Sequence, residues 1–184
     1  MPLSPPVARE EIHTRRIVIK GYRRADGLFD VEGNLEDSKP FAWSIVDKEL
    51  AAGQPVHGMW IRLTLDRDFT VRDAEAWTEH GPYRTCAHVE PNYKALVGLK
   101  IGPGWNRRTK ERMAGVLGCT HMTEMLAQMG TGALQAMWQA LDPRKLDEME
   151  APRPGLIDSC NTYRSDGEMV RRIWPDRYTG PRQD

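Results

Sequence analysis

The chain has 184 residues, 28% of them charged, and its 26 basic and 26 acidic residues leave a formal net charge of zero. This length can bury a sizeable core, and the balanced charge excludes the basic excess expected of a nucleic-acid-binding protein. No run of about 18 apolar residues is present, so no membrane partner is predicted. Three cysteines, and an N-terminus without the apolar segment of a secretory signal, predict reduced thiols and a cytoplasmic location.

The first part of the chain reads as β-structure. After a proline-rich flexible arm over 1–11, strand-like segments occupy 13–23, 28–36, 57–65 and 69–77. The second segment alternates apolar and acidic residues, which is typical of a half-buried antiparallel strand. Gly27 and the sequence DRD at 66–68 mark hairpin turns. Residues 12–77 are therefore predicted to be mainly β, with one short helix around 43–53.

Residues 88–141 are predicted to be mainly helical, with a short helix near 92–97 and longer ones over 105–115 and 120–141. The last is the clearest, because its apolar residues recur every three or four positions. They are Met122, Met125, Leu126, Met129, Ala133, Met137 and Leu141. The tail over 142–184 is rich in proline and arginine, and it contains one possible edge strand around 169–174.

Strands followed by helices favour an α+β fold, in which an antiparallel sheet from the N-terminal half packs against helices from the C-terminal half. The whole chain, 1–184, is predicted to be one domain. We expect a homodimer, because small sheets with one open face often pair.

Two acids, Asp73 and Glu75, follow the apolar residues of the fourth strand at a spacing of two. If Leu65 faces Phe69 across DRD, both acids share one face with His57 and Trp77.

A comparable register of the first hairpin pairs Ile19 with Val31 and Ile17 with Gly33, and its core face continues to Arg15 and His13. Each hairpin would then turn polar at one end. If the two polar ends lie on the same side of the sheet, they form a cavity with titratable walls suited to proton transfer. Two structural alternatives are solvated strand ends and an ion pair of Arg15 with Asp73 or Glu75.

Cys119 and His121 suggest a metal site as an alternative. Residues two apart on a regular helix point about 200° away from each other, given roughly 3.6 residues per turn. We therefore predict no metal and no other cofactor. His121, in the first turn of the long helix, is instead expected to face the cavity and bind a substrate oxygen. Trp60, Trp77 and Trp105 are candidates to line an aromatic site, with core filling as the alternative.

Four stretches together resemble the bacterial domain-of-unknown-function family 2889. They are HTRRIVIKGYRRADGLFDVEG, PVHGMWIRLTLDRDFTVRDAEAW, GLKIGPGWNRRTKERMAGVLGCTHMTEML and LIDSCNTYRSDGEMVRRIWP. The chain is also similar to small cofactor-independent lyases that release formaldehyde from lignin-derived aromatic dimers. This resemblance implies a base that deprotonates a primary alcohol, a group that binds the phenolate oxygen, and an aromatic pocket.

The roles implied by this resemblance fall on residues already singled out. The catalytic candidates are Asp73, Glu75, His57 and His121, and the substrate-binding candidates are Arg15, His13, Trp77, Trp60 and Trp105. The expected function is acid–base chemistry on an aromatic substrate, with a carbon–carbon lyase as the specific prediction. The alternative is a domain that binds a small molecule or a partner without catalysis.

Overall fold

The computed structural model describes residues 3–46, 48–138 and 157–181. Contacts along the chain divide it into two compact units, Met1–Ala136 and Met137–Asp184, and each is described by itself. Across the described ranges, every helix is too short or too polar to traverse a bilayer.

The first unit contains a four-stranded antiparallel sheet in the order β1-β2-β5-β6, together with a separate two-stranded hairpin, β3-β4. The strands are β1 (Thr14–Arg23), β2 (Phe29–Ser38), β3 (Trp43–Ile45), β4 (Lys48–Leu50), β5 (His57–Leu65) and β6 (Val71–His80). The four predicted strands of the main sheet are thereby confirmed.

Helices follow the sheet in the chain, which confirms the α+β class. A 3₁₀ helix spans Arg84–Leu96, α1 spans Trp105–Met113, a 3₁₀ turn spans Gly115–Leu117, and α2 spans Thr120–Trp138. The second unit contains α3 (Glu168–Ile173), with 3₁₀ turns at Asn161–Tyr163 and Pro175–Arg177. Leu141, at the end of the predicted helix, and residues 142–156 of the predicted tail lie outside the described residues.

The core lies between one face of the sheet and α2. Along β2 every second residue is buried, beginning with Phe29. The apolar face predicted for α2 is buried at every described position: Met122, Met125, Leu126, Met129, Ala133 and Met137. The helix approaches β2 so closely that a methyl group on Gly33 would lie 2.9 Å from Sδ of Met129. Glycine at this position lets the helix settle onto the strand.

Two predicted elements are wrong. The segment predicted as a helix contains the strands β3 and β4 instead, because Trp43 and Ile45 favour extended backbone and pair with Leu50 and Lys48. The proposed strand around 169–174 is part of α3, which begins after Gly167. Glu168 in its first turn, and two arginines in its last, complement the helix dipole.

The predicted register of the first hairpin is wrong by two residues. Ile19 pairs with Gly33 and Ile17 with Leu35, because the connection spans five residues between the strands instead of three. A shift of two leaves every side chain on its predicted face. It does change the partners, so that Arg15 lies opposite Asp37.

The predicted register of the second hairpin is wrong by two residues at Leu65 and by three beyond it. The odd shift moves the later residues of β6 to the opposite face of the sheet. Leu65 pairs with Val71 and Thr64 with Asp73, so that Arg72 is an extra residue in a β-bulge. The prediction that Asp73 and Glu75 share the apolar face of Val71 is therefore wrong. After the bulge Ala74 and Ala76 face the core, and Asp73, Glu75 and Trp77 lie on the outer face.

The loop before the bulge explains the shift. The carboxylate of Asp66 accepts hydrogen bonds from the backbone N–H groups of Asp68 and Thr70, both at 2.9 Å. Phe69 has a positive φ of 64°. The loop therefore needs two more residues than the DRD sequence suggested.

The close contact between α2 and β1 yields a prediction about Gly132. A methyl group there would lie 2.5 Å from Cγ2 of Ile19. We expect Gly132→Ala to lower the free energy of unfolding by about 1 kcal/mol, because overpacking outweighs the gain in helix propensity. Urea denaturation measures this change.

Two further variants separate the clash from other effects of this substitution. Thr131→Ala, at an exposed neighbouring position of α2, should change stability by no more than about 0.5 kcal/mol. Gly132→Ala should cost less in an Ile19→Ala background, because the clashing methyl group is gone. Equal costs in both backgrounds would show that the contact with Ile19 does not matter.

Candidate functional site

A buried carboxylate lies at the centre of the site. Asp37, near the end of β2, is 2% exposed and faces the core, in phase with Phe29, Val31 and Leu35. The sheet register gives it one neighbour on each side, with Arg15 of β1 opposite on one strand and His57 of β5 on the other. Three polar residues therefore form one row across three strands.

The carboxylate accepts four hydrogen bonds from these strands and the residue before β1. Arg15 donates from Nε and Nη2 to the two oxygens, each at 2.8 Å. His57 Nδ1 lies 3.0 Å from Oδ2 of Asp37, and His13 Nε2 lies 3.1 Å from Oδ1. Burial of a charge is costly unless it is paired and hydrogen-bonded, and these contacts meet that need.

The start of α2 closes the site from the helix side. His121 stacks on His57 with ring centroids 3.9 Å apart, and its Nε2 lies 3.8 Å from Oδ2 of Asp37. Arg15 reaches Glu124 of the same helix at 3.5 Å. We refer to Asp37, Arg15, His13, His57 and His121 as the Asp37 cluster.

Tyr93 holds Cys119, the residue immediately before α2. Its hydroxyl donates to the carbonyl of Cys119 at 3.3 Å and accepts from the N–H of Cys119 at 3.2 Å. Burial raises the pKa of Tyr93 to about 12, so the hydroxyl keeps its proton at neutral pH. The Cys119 thiol lies 3.8 Å from Nδ1 of His121. The three cysteines, including Cys86 and Cys160, are free.

The electrostatics of the cluster keep the carboxylate charged and the stacked histidines neutral. Burial alone would raise the pKa of Asp37, but the hydrogen bonds and charge of Arg15, helped by His57, lower it to about 2. Burial lowers the pKa of His57, and repulsion from Arg15 and from His121 in its protonated form adds to this effect, whereas the hydrogen bond and charge of Asp37 oppose it. Burial and the charge of Arg15 likewise lower the pKa of His121.

These protonation states define what the cluster can do chemically. An ionised carboxylate only accepts hydrogen bonds, so His57 donates from Nδ1. A neutral imidazole has one proton, which leaves Nε2 of His57 with a free lone pair. The His57 side chain retains 18% exposure. A carboxylate that fixes the tautomer of a partly accessible imidazole is the arrangement required of a general base.

Metal binding is the alternative use of the same atoms. Asp37, His57 and His121 each offer a ligand atom, and these atoms lie within 4.8 Å of one another. Because Cys119 precedes α2, the helical spacing does not separate it from His121 as the sequence suggested. However, Arg15 engages both oxygens of Asp37, and its positive charge opposes a neighbouring cation. The arrangement therefore fits acid–base chemistry better than a metal centre.

Of the predicted site residues, His13, Arg15, His57 and His121 meet at the Asp37 cluster. Trp105 is 4% exposed, and its indole N–H donates to the carbonyl of Leu126 at 2.8 Å, which joins α1 to α2.

The other predicted residues lie on the outer face of the sheet. Lys94 donates to Asp73 at 2.5 Å and is the main cause of the lowered pKa of that carboxyl. Arg62 bonds both Glu32, at 2.8 Å, and Glu75, at 3.2 Å. The catalytic roles of Asp73 and Glu75 thus stay predictions, at a location apart from the cluster.

An open groove of about 650 Å³ lies where these residues meet the 3₁₀ helix. Trp60 and Trp77 contribute its aromatic surface, and Glu75, Pro91 and Lys94 form part of its wall. The two tryptophans are direct cross-strand neighbours. The aromatic surface predicted for the chain therefore occurs, but on the face opposite the Asp37 cluster.

Asp37 is the site residue that the sequence analysis missed. The signal is the alternation of β2, because Asp37 continues the buried series of Phe29, Val31 and Leu35 by one step of two. Ending the predicted strand at 36 placed Asp37 in a loop. An acid in phase with the apolar residues at the end of a strand is the pattern that would have identified it.

The fold and the cluster together define a small α+β protein with a buried carboxylate held by guanidinium and imidazole groups between sheet and helix. The profile of the family described as "Protein of unknown function (DUF2889)" matches residues 13–135, and the chain belongs to this family. The match includes all five residues of the Asp37 cluster. No curated protein and no solved structure matches the chain.

The lowered pKa of Asp37 predicts how stability depends on pH. A carboxyl whose pKa is about 2 in the folded protein and 3.8 when unfolded stabilises the fold above about pH 4. This contribution, about 2 kcal/mol, is lost as the pH falls from about 4 to about 2. We expect Asp37→Asn to destabilise the protein at pH 7 by at least this amount and to flatten the acid limb measured by denaturation.

Asp68→Asn, at an exposed position of the β5-β6 loop, is the matched control and should keep the wild-type acid limb. An Asp37→Asn variant with an unchanged acid limb would contradict the assignment of this titration to Asp37.

Proposed function

We propose that the protein is a small cofactor-independent enzyme that carries out acid–base chemistry on an aromatic substrate at the Asp37 cluster. The observation that carries this proposal is the contact of 3.0 Å between Nδ1 of His57 and the buried carboxylate of Asp37. It leaves Nε2 of a neutral, partly accessible imidazole as the base. A positioned general base of this kind contributes about 10²–10⁴-fold to a rate.

The proposed reaction is a carbon–carbon lyase step that releases formaldehyde from a lignin-derived phenolic dimer, the reaction that the sequence resemblance implies. His57 Nε2 takes the hydroxyl proton of a primary alcohol on the substrate. The oxygen then forms a C=O bond while the bond to the neighbouring carbon breaks, and formaldehyde leaves. The released electron pair forms a C=C bond and expels a phenoxide from the next carbon, which yields a stilbene.

The remaining groups of the cluster can supply a hydrogen bond and a positive charge near the base. His121 lies beside His57 and can donate a hydrogen bond to the phenoxide oxygen as charge develops there. Arg15 is about one third exposed and adds a fixed positive charge to the cluster. Atoms and electrons balance within the substrate and the imidazole, so the step requires neither a metal nor a nucleotide.

The proposal includes the setting in which the enzyme works. We infer a small aromatic molecule as its binding partner, a cytoplasmic location and a homodimeric assembly. The low, odd number of cysteines supports the cytoplasmic location, and a small sheet with one open face supports the homodimer. The balanced charge supports a small-molecule partner over a nucleic acid.

A non-enzymatic binding domain is the second candidate. The groove beside Trp60 and Trp77 favours it, since this groove offers aromatic surface for a ligand without the Asp37 cluster. The four hydrogen bonds on Asp37 would then serve stability alone. Turnover distinguishes the two candidates, because only the enzyme releases formaldehyde.

Substitution of the base tests the enzymatic proposal. His57→Gln removes the Nε2 lone pair, and we expect formaldehyde release to fall by about a hundredfold or more while the fold survives. The measurement is formaldehyde release and absorbance change with a panel of lignin-derived phenolic dimers, without added cofactor. His88→Gln, at an exposed histidine, is the control and should keep wild-type turnover.

Asp73→Asn and Glu75→Gln belong in the same assay, because these residues are the alternative candidates for the base. With the base at His57, both variants should lose far less than the hundredfold expected when a base is removed. Wild-type turnover in a folded His57→Gln variant would refute the role of His57. A wild-type protein that turns over no member of the panel would favour the binding domain.

Metal analysis separates acid–base chemistry from a metal centre. Protein purified without added metal should contain well below one equivalent of any divalent ion, and a chelator should leave turnover unchanged. Cys119→Ala should behave like the wild type in both measurements. A stoichiometric metal that disappears in His121→Gln would instead establish a centre at Asp37, His57 and His121.

A further inference from the structure

The outer face of the main sheet carries a row of alternating charges. The register places Lys20 opposite Glu32, Glu32 opposite Arg62, and Arg62 opposite Glu75. One residue from each strand thus gives the order positive, negative, positive, negative across β1, β2, β5 and β6. We refer to this series as the charged row.

The adjacent row of the same face is largely apolar. It runs Val18, Asn34, Trp60 and Trp77 in the same strand order. Its two end residues are exposed on opposite edges of the sheet, Val18 to 46% and Trp77 to 54%. A two-fold partner that covers this face would bury both of these exposed apolar side chains.

We propose that this outer face binds a second copy of the chain, in a two-fold dimer whose axis runs parallel to the strands between β2 and β5. With this axis, each row of one protomer faces the same row of its partner, and the order of the strands across the row is reversed. Lys20 then faces the partner's Glu75, and Glu32 faces the partner's Arg62. In the adjacent row, Trp77 covers the partner's Val18.

The charges select this axis over the other in-plane choice. A two-fold axis running across the strands along the charged row would place each strand on its own copy, so that Lys20 would face the partner's Lys20. Like charges placed face to face are destabilising, and such juxtapositions exclude wrong arrangements in protein interfaces. An even-numbered row of alternating sign is complementary to itself only when its order is reversed.

The available area is sufficient for a specific dimer. Strands of nine or ten residues span about 30 Å, and four strands at a spacing of about 4.8 Å cover about 19 Å. The face therefore offers roughly 600 Å² per protomer, or about 1,200 Å² in all, which is the lower end of standard interfaces. Strands that run along the axis in both protomers also match the aligned packing of β-sandwiches.

In this arrangement a side chain of the partner fills the groove beside Trp77. It lies over the β5-β6 half of the face, with Pro91 and Lys94 on its rim. The reversed order brings the partner's β1 over this half, so that the partner's Val18 enters beside Trp77. This places the interface of the homodimer proposed above, and it does not depend on catalysis at the Asp37 cluster.

Charge reversal across the interface tests the proposal, with the dimer dissociation constant from sedimentation as the readout. Lys20→Glu and Glu75→Lys each create two like-charged contacts per dimer, and each should weaken the dimer by at least about tenfold. The double variant should recover most of the wild-type affinity, because the reversed charges face each other again. Lys110→Glu, an equal charge change at an exposed position of α1, should have no effect.

The double variant also excludes an indirect effect within one protomer. Lys20→Glu places two acids side by side on the sheet, and the double variant retains that repulsion. Recovery of the dimer therefore reports the contact between protomers. A protein that is monomeric up to millimolar concentration would overturn the proposal, as would a dimer that both single variants leave intact. Binding of a small aromatic ligand beside Trp77 in such a monomer would assign the groove to that ligand.

Discussion

The burial of one carboxylate governs the arrangement of this protein. A charged side chain that is 2% exposed requires a full set of hydrogen-bond donors, and Asp37 obtains them from β1, β5 and the residue before β1. This requirement holds Arg15 and His57 at one end of the sheet, and it fixes the proton of His57 on Nδ1. The interaction that makes the buried charge tolerable therefore also fixes the orientation of the imidazole.

The helix contributes to the same site because glycines allow it to lie close to the sheet. Gly33 and Gly132 remove side chains where α2 meets β2 and β1, and Tyr93 anchors the residue at which the helix begins. The first turn of α2 then brings His121 onto His57. Buried methionines of α2 fill the remaining space between helix and sheet.

The accuracy of the sequence predictions depends on whether each register error is an even or an odd number of residues. Only an odd error moves side chains to the other face of the sheet. Periodicity predicted the four strands, the buried face of α2 and the convergence of His13, Arg15, His57 and His121. An error of two residues in the first hairpin preserved its faces and only concealed the pairing of Arg15 with Asp37. In the second hairpin the predicted register was wrong by two residues before the bulge and by three after it, and the odd shift reversed the face of Asp73 and Glu75. A β-bulge and a loop capped by Asp66 depend on local hydrogen bonds, which alternation alone does not reveal.

Asp73 and Glu75, which the alternation of β6 predicted to lie on the apolar face, lie on the outer face of the sheet. Glu75 ends a row in which neighbouring charges have opposite signs, and Arg62 is shared by Glu32 and Glu75. Exposed ion pairs of this kind add little stability singly, at most about 1 kcal/mol. The order of these charges still matters for the proposed dimer, because a row of alternating sign meets opposite charges when it faces its own reversed copy. The bulge at Arg72 therefore places Glu75 on the outer face with this row, whereas the alternation of β2 encloses Asp37 on the core face.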